Sequence, residues 1–323
     1  MQENYSYIQK ILHHLCLGNT TIKKTLFLFE TSLFKNENDI ENNQHLFICG
    51  LPRSGTTALL IGFYETNIYA SLTYKDMPFV LAPNLSNFFL NNTKKKSFQR
   101  PHNDKIIYDI KSPEALDEIF FKTFQENEIK KNLNIYISLI LKKYKKNLYL
   151  SKNNNILDKI NLIKSIYRNS CFLVPFRDPL QHAYSLLLQH KNFIKLQKRN
   201  NFILDYMNYL GHFEFGINHK SWNNPDICRD FNDINYWLEQ WLLYYKKIYT
   251  SYTKLDNLYL VSYDSICKDK KKFSQFLTAA DLKLDNLEKF KLSYREIDLE
   301  YDKFILNECD KVYQNLVSIY NNY

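Results

Sequence analysis

Glycine and proline are scarce in this chain, with 6 and 8 among 323 residues. Flexible tethers are built from such residues, so their scarcity argues against a string of loosely joined modules. No stretch approaches the ~20 consecutive apolar residues that a membrane-spanning helix requires. The N-terminus shows no basic segment followed by an apolar run, so no signal peptide is expected and a cytoplasmic protein is. The six cysteines (Cys16, Cys49, Cys171, Cys228, Cys267 and Cys309) are scattered, and no two stand at metal-ligand spacing. Cys49 and Cys171 fall inside apolar strand patterns and read as small core residues of a protein in a reducing compartment. No bound metal is expected.

Hydrophobic residues make up 45% of the chain, enough for a full core. The net charge of +9 favours anionic partners such as nucleotides, acidic glycans or anionic lipid. Runs such as Lys94-Lys-Lys96 and Lys142-Lys-Tyr-Lys-Lys146 lie among asparagines and fit solvated faces equally well. They form no basic stripe with an interleaved aromatic platform, so nucleic acid is not expected as a partner.

Buried strand patterns at 46–49, 69–74, 148–151, 171–176 and 258–263 alternate with helical apolar spacing. That spacing marks helices at 56–64, 112–123, 128–144, 156–167, 179–190, 201–216 and 231–252, with more from about Lys270. Ser112-Pro-Glu-Ala115 carries an N-cap, a proline at the first helical position and an acid in the first turn. Pro78 and Pro83 bracket an apolar helical turn, and 91–104 is a polar surface excursion. This alternation predicts an α/β fold, a three-layer sandwich around a mostly parallel sheet. No linker or repeat divides it. One domain is expected over 1–323, with a core at 46–270 and extra helices at both termini, 1–45 and 271–323. Trp222, Trp237 and Trp241 lie in an aromatic-rich stretch that reads first as core.

The stretch Leu46 to Ile61 carries the most chemical information. A buried strand meets the loop Gly50-Leu-Pro-Arg-Ser-Gly-Thr-Thr57, and a helix starts near Thr56. Glycines with four residues between them let backbone N–H groups and a helix N-terminus converge on an anion. A nucleoside triphosphatase would carry Lys after the second glycine; here Thr56 stands there, and the cation is Arg53. A second candidate anion site is Arg177-Asp-Pro-Leu-Gln-His-Ala-Tyr-Ser185. Its Arg stands at the carboxyl end of strand 171–176, where ligands of open α/β sheets bind, and Ser185 lies two helical turns further on.

The first loop resembles the 5′-phosphosulfate loop of sulfotransferases that use 3′-phosphoadenosine 5′-phosphosulfate (PAPS), matching Gly-x-Pro-Arg/Lys-Ser-Gly-Thr-Thr throughout. The second stretch resembles that family's 3′-phosphate motif, Arg-[Asp/Asn]-Pro with Ser eight residues after the Arg. Leu260-Val-Ser-Tyr-Asp264 is similar to a late strand ending in Tyr-Glu, with Asp264 in place of Glu. The resemblance covers about 46–270. It implies a P-loop-like fold and in-line transfer of a sulfonate from PAPS to a hydroxyl, without metal. It also implies a cradle of Arg53, Ser54, Gly55, Thr56 and Thr57, with Arg177 and Ser185 on the 3′-phosphate. Lys152, at the end of strand 148–151, falls where relatives place a lysine on the leaving group.

Two residues compete as general base. Asp76, about twenty residues past the loop, falls where tyrosylprotein and some carbohydrate sulfotransferases carry a Glu, although it could instead cap a helix. His102, in Arg100-Pro-His-Asn-Asp104, is the alternative. The acceptor is expected to be a carbohydrate or glycolipid hydroxyl. The charge favours an acidic glycan, and cytoplasmic residence favours a lipid-linked sugar. A P-loop-like kinase and a non-enzymatic nucleic-acid-binding protein are the rival readings; the first lacks its lysine and the second its basic face.

Overall fold

The computed structural model describes residues 6–35, 39–89, 98–99, 107–222 and 230–323. Among these residues seven strands are assigned: β1 (Leu46–Ile48), β2 (Tyr69–Ala70), β3 (Phe98–Gln99), β4 (Ile107–Tyr108), β5 (Leu148–Lys152), β6 (Cys171–Phe176) and β7 (Leu258–Ser262). Five of them build one parallel sheet in the order β2-β5-β1-β6-β7, and β3 pairs with β4 as a short antiparallel ribbon. Every residue of β1 and β6 is buried, as expected when helices cover both faces of a parallel sheet.

Helices α1 (Tyr7–Leu17) and α2 (Thr20–Phe34) precede the sheet. The crossover from β1 to β2 is α3 (Thr56–Glu65), and α4 (Ser86–Phe89) follows β2. Next come α5 (Glu118–Thr123) and α6 (Glu126–Tyr144), while α7 (Ile160–Ile166) joins β5 to β6. Between β6 and β7 stand α8 (Pro179–Arg199), α9 (Asn201–Leu210) and α10 (Ile234–Ser251). The chain ends with α11 (Tyr263–Lys268), α12 (Lys270–Ala279) and α13 (Lys303–Asn321). Trp237 and Trp241 on α10 are fully buried, so the core reading of these rings holds.

Because all five strands run one way, the residues after Ile48, Ala70, Lys152, Phe176 and Ser262 emerge at a single edge. β1 lies between β5 and β6, with Ile48 level with Lys152 on one side and Leu173 on the other. The glycine loop therefore rises between the two neighbouring strands whose ends carry Lys152 and Arg177.

Several local expectations are corrected. No helix starts at Ser112; α5 begins at Glu118, and Asp117 before it makes no side-chain cap. The chain before it pairs with the segment that follows β2: Lys75 N donates to Ile110 O (2.7 Å), Glu114 N to Leu72 O (3.0 Å), and Thr73 bridges Pro113. That long-range pairing overrides the local capping signature. No helix is assigned between Pro78 and Pro83; α4 starts after them. Helix α9 stops at Leu210, because Gly211 at φ +72° ends it in the left-handed conformation. Helix α8 runs on to Arg199, burying Phe193 and Gln197 on its continued inner face.

Candidate active site

The loop after β1 is shaped by its glycines. Gly50 has φ +153° and Gly55 φ +104°; a Cβ on Gly55 would lie 2.2 Å from the Tyr263 ring. Arg53 also adopts a left-handed φ, +72°, unusual for a residue with a side chain. The loop is tied down from within and from α8. Ser54 Oγ donates to Leu51 O (2.7 Å), His182 Nε2–H donates to Pro52 O (2.8 Å), and Arg53 Nε donates to Ser185 Oγ (3.2 Å). Helix α3 starts at Thr56 with no side chain capping it, because its N-cap is Gly55. The first N–H groups of a helix have no intrahelical acceptor, so this terminus presents donors and a partial positive charge.

The Arg53–Ser185 hydrogen bond joins two stretches 132 residues apart in sequence, the glycine loop and the Arg177-to-Ser185 segment. In the latter, each residue has a distinct task. Asp178 caps α8, accepting from Gln181 N (2.8 Å), and Pro179 occupies the first turn. Asp178 N in turn donates to Asp264 Oδ2 (2.7 Å), which links the start of α8 to the first turn of α11, just after β7. Burial pushes the Asp264 carboxyl up, against the pull of Arg177. The Arg177 side chain donates through Nη2 to Ser293 O (3.2 Å), while its Nε is buried without a hydrogen-bond partner. His182, fully buried between the two segments, is pushed down to about 3 by burial, with the Arg177 and Arg53 guanidiniums adding to the effect. Both arginines thus bear on one imidazole, and two cationic groups converge at the edge of the sheet.

Beside them lies a cleft whose polar floor includes Arg53, Thr57, Lys152, Glu114 and Glu214. Lys152 is buried at the end of β5, and its charge opposes the rise that burial imposes on the Glu214 carboxyl. Glu114 is held by two donors: the Tyr74 hydroxyl on Oε2 and Ala115 N on Oε1 (2.8 Å). The far wall is apolar and comes from α8, α9 and the turn after α9, through Phe193, Ile203, Tyr206, Met207, Leu210 and Phe215.

Asp76, the first candidate base, falls elsewhere. It is completely buried and does not border this cleft. Its Oδ1 pairs with Lys143, and its Oδ2 accepts from Thr73 N, Thr73 Oγ1 and the Tyr144 hydroxyl. With both oxygens engaged, it closes the capping box of a 3₁₀ turn at Tyr74–Asp76. His102 lies outside the described residues. Glu114 and Glu214, which sequence reasoning passed over, are the carboxylates that reach the cleft. The only sequence signal for Glu114 was its place in Ser112-Pro-Glu-Ala115, where it read as a first-turn acid of a helix.

The sheet order, the glycine loop and the uncapped helix define an α/β protein with backbone donors and two arginines at the carboxyl edge of its sheet. The chain belongs to the sulfotransferase domain family, which matches residues 43–275. The sulfotransferase STF1 of Mycobacterium tuberculosis shares the fold at 10% identity, with a TM-score of 0.52 over 97% of this chain and 87% of the other. STF9 of Mycobacterium avium is 12% identical and aligns over 98% of this chain and 85% of its own, with a TM-score of 0.49. No curated protein matches the sequence.

Proposed function

We propose that this sulfotransferase uses PAPS as donor and passes its sulfonate to the hydroxyl of an acceptor with an apolar body. The observation that carries the donor reading is the Arg53–Ser185 contact, which brings the two anion-binding segments to one place. The N–H groups at the start of α3, with Arg53, would hold the 5′-phosphosulfate, and Ser54 keeps the loop folded around it. Arg177, whose Nε lacks a partner, and Ser185 would take the 3′-phosphate. In the transfer, the bond from sulfur to the bridging phosphate oxygen breaks as the acceptor oxygen attacks from the opposite side. Adenosine 3′,5′-bisphosphate leaves with the bridging oxygen, and Lys152 and Arg53 offset its growing charge. The acceptor proton goes to a carboxylate. Glu114 serves better than Asp76, because it borders the cleft while Asp76 is enclosed by its partners.

The cleft also bears on the acceptor. Two carboxylates on its floor disfavour an acidic glycan, which the overall charge had suggested. The apolar wall of α8 and α9 favours a glycolipid, a lipid-linked sugar or another alcohol with a hydrophobic body.

Thermal shift with adenosine 3′,5′-bisphosphate, without Mg²⁺, tests the donor reading. A ligand at a hundredfold excess over its Kd stabilises the native state by about 2.7 kcal/mol. That shift is expected in the wild type and absent in Arg53→Ala and Arg177→Ala. Wild-type affinity in both variants would overturn the reading.

A further inference from the structure

We propose that the outer face of the α1–α2 hairpin is a docking surface for an anionic lipid bilayer. Among the described residues, sixteen large hydrophobic side chains are exposed, and nine of them gather here: four on α1, four on α2 and one on α4. On α1, Ile8, Ile11 and Leu15 repeat at i, i+3 and i+7; on α2, Ile22, Phe29 and Leu33 repeat at i, i+7 and i+11. Each set forms one stripe along its helix. Tyr7 is 78% exposed and Ile8 69%, while Phe29 and Leu33 are each 55% exposed. Phe88 of α4 extends the surface, its ring resting 6.4 Å from Phe34 at the end of α2. Scattered exposed hydrophobics need no explanation, but a concentration of this kind does.

The charge around these stripes points to the occupant. Residues 6–35 carry four lysines (Lys10, Lys23, Lys24 and Lys35) and a single acid, Glu30. Glu30 is fully buried and accepts from Asn84 N, Asn84 Nδ2 and Leu85 N, so it contributes nothing outward. Lys24 pairs with Glu128 of α6 (2.6 Å) and Lys10 lies over the Phe202 ring of α9, while Lys35 is exposed and Lys23 half-buried. Among the described residues the hairpin itself thus adds lysines and no outward acid to this surface, on a chain of net charge +9. Short amphipathic helices with Leu, Ile and Phe on one side and lysines beside them seat in the interface of negatively charged bilayers. A second copy of this chain would bring the same lysines to the contact and be repelled. The outer faces of two helices are also convex ridges, which a fluid bilayer accommodates without a complementary groove.

The position of the hairpin gives the docking a use. Helix α1 lies directly on α9, with His14 Nδ1 and the Tyr209 hydroxyl 2.9 Å apart and the His13 ring against Phe202 and Tyr206. Tyr206 also borders the cleft, with Ile203, Met207 and Leu210 of the same helix. Helices α1 and α9 then lie between the bilayer and that wall of the cleft. The docking itself does not depend on which acceptor is used.

Flotation of the full chain with lipid vesicles tests the proposal. Vesicles of phosphatidylcholine with about 30% phosphatidylserine are expected to carry the wild type, and pure phosphatidylcholine vesicles to carry far less. Raising the salt should weaken the capture. The double variants Ile8→Glu/Ile11→Glu and Phe29→Glu/Leu33→Glu should each lower binding by about tenfold or more. Their side chains already face solvent, so unchanged melting temperatures should accompany the loss. Wild type that stays unbound on anionic vesicles, or variants that bind as well as wild type, would overturn the proposal. It also fails if light scattering shows a wild-type dimer that the same variants convert to monomer, for the face would then belong to a second copy.

Discussion

At the scale of single residues, two carboxylates can be told apart by experiment. Asp76 and Lys143 form a buried ion pair, their side chains 0% and 5% exposed. Removing one partner of such a pair leaves the other charge buried and costs about 3–5 kcal/mol. Asp76→Asn should therefore lower the urea midpoint strongly. Glu114→Gln should leave stability within about 1 kcal/mol and bisphosphate affinity unchanged, while lowering kcat by about 10²–10⁴-fold, the range for loss of a general base. A stable but inactive Asp76→Asn beside an active Glu114→Gln would return the proton to Asp76. His182 adds a pH term. Its Nε2–H donates to Pro52 O, a bond that both protonation states can make, and burial outweighs it, lowering the pKa from the ordinary 6.5 to about 3. Between these values the unfolded chain binds one more proton than the folded one. The stabilising contribution is therefore complete above pH ~6.5 and is lost as pH falls, by up to about 1.4 kcal/mol per pH unit. His182→Gln lacks this term. The gap in unfolding free energy between wild type and variant should narrow from pH 6 to pH 4, and a constant gap would mean that His182 is already charged.

At the scale of elements, the carboxyl edge of the sheet is completed by the chain after α12. Gln181 on α8 donates through Nε2 to Arg295 O and accepts from Arg295 N, both at 2.9 Å, next to the bond from Arg177 to Ser293 O. Gln181→Ala removes two hydrogen bonds, each worth about 0.5–1.5 kcal/mol. With this clasp open, the Arg177 side chain loses its support. Calorimetry should show bisphosphate bound roughly tenfold more weakly, the equivalent of about 1.4 kcal/mol, by a variant that is still folded; equal affinity would detach the clasp from the site. The parts of this edge that were legible in the sequence are those fixed locally. A buried parallel strand leaves an apolar run, and a loop that turns sharply into a helix needs glycine, so β1, β6, β7 and the residues Arg53 and Arg177 could be read directly. What escaped depends on distant pairing. The capping signature at Ser112 yields to hydrogen bonds with residues 72–75, and that exchange turns Glu114 from a helix-start acid into a wall of the cleft. That Asp76 is enclosed by Lys143 and Tyr144, more than sixty residues away, could not be read locally either.

At the scale of the whole molecule, the question is whether the α1–α2 hairpin folds with the sheet or melts alone. Glu30 decides it. This buried carboxylate on α2 accepts from Asn84 N (2.7 Å), Asn84 Nδ2 (2.7 Å) and Leu85 N (3.0 Å), and Asn84 Nδ2 also reaches Leu139 O on α6 (3.0 Å). The hairpin therefore supplies the acceptor for backbone donors in the loop that precedes α4. Without it, buried N–H groups are left unsatisfied, at about 1–3 kcal/mol each. Contacts of this kind couple the hairpin to the core, so unfolding should be a single transition in which far-UV circular dichroism and tryptophan fluorescence coincide. Glu30→Ala should shift that whole transition to lower temperature, since a loss of several kcal/mol falls on the cooperative unit. An early, separate loss of helix in Glu30→Ala, with the tryptophan signal of α10 unmoved, would show instead that the hairpin is an independent appendage.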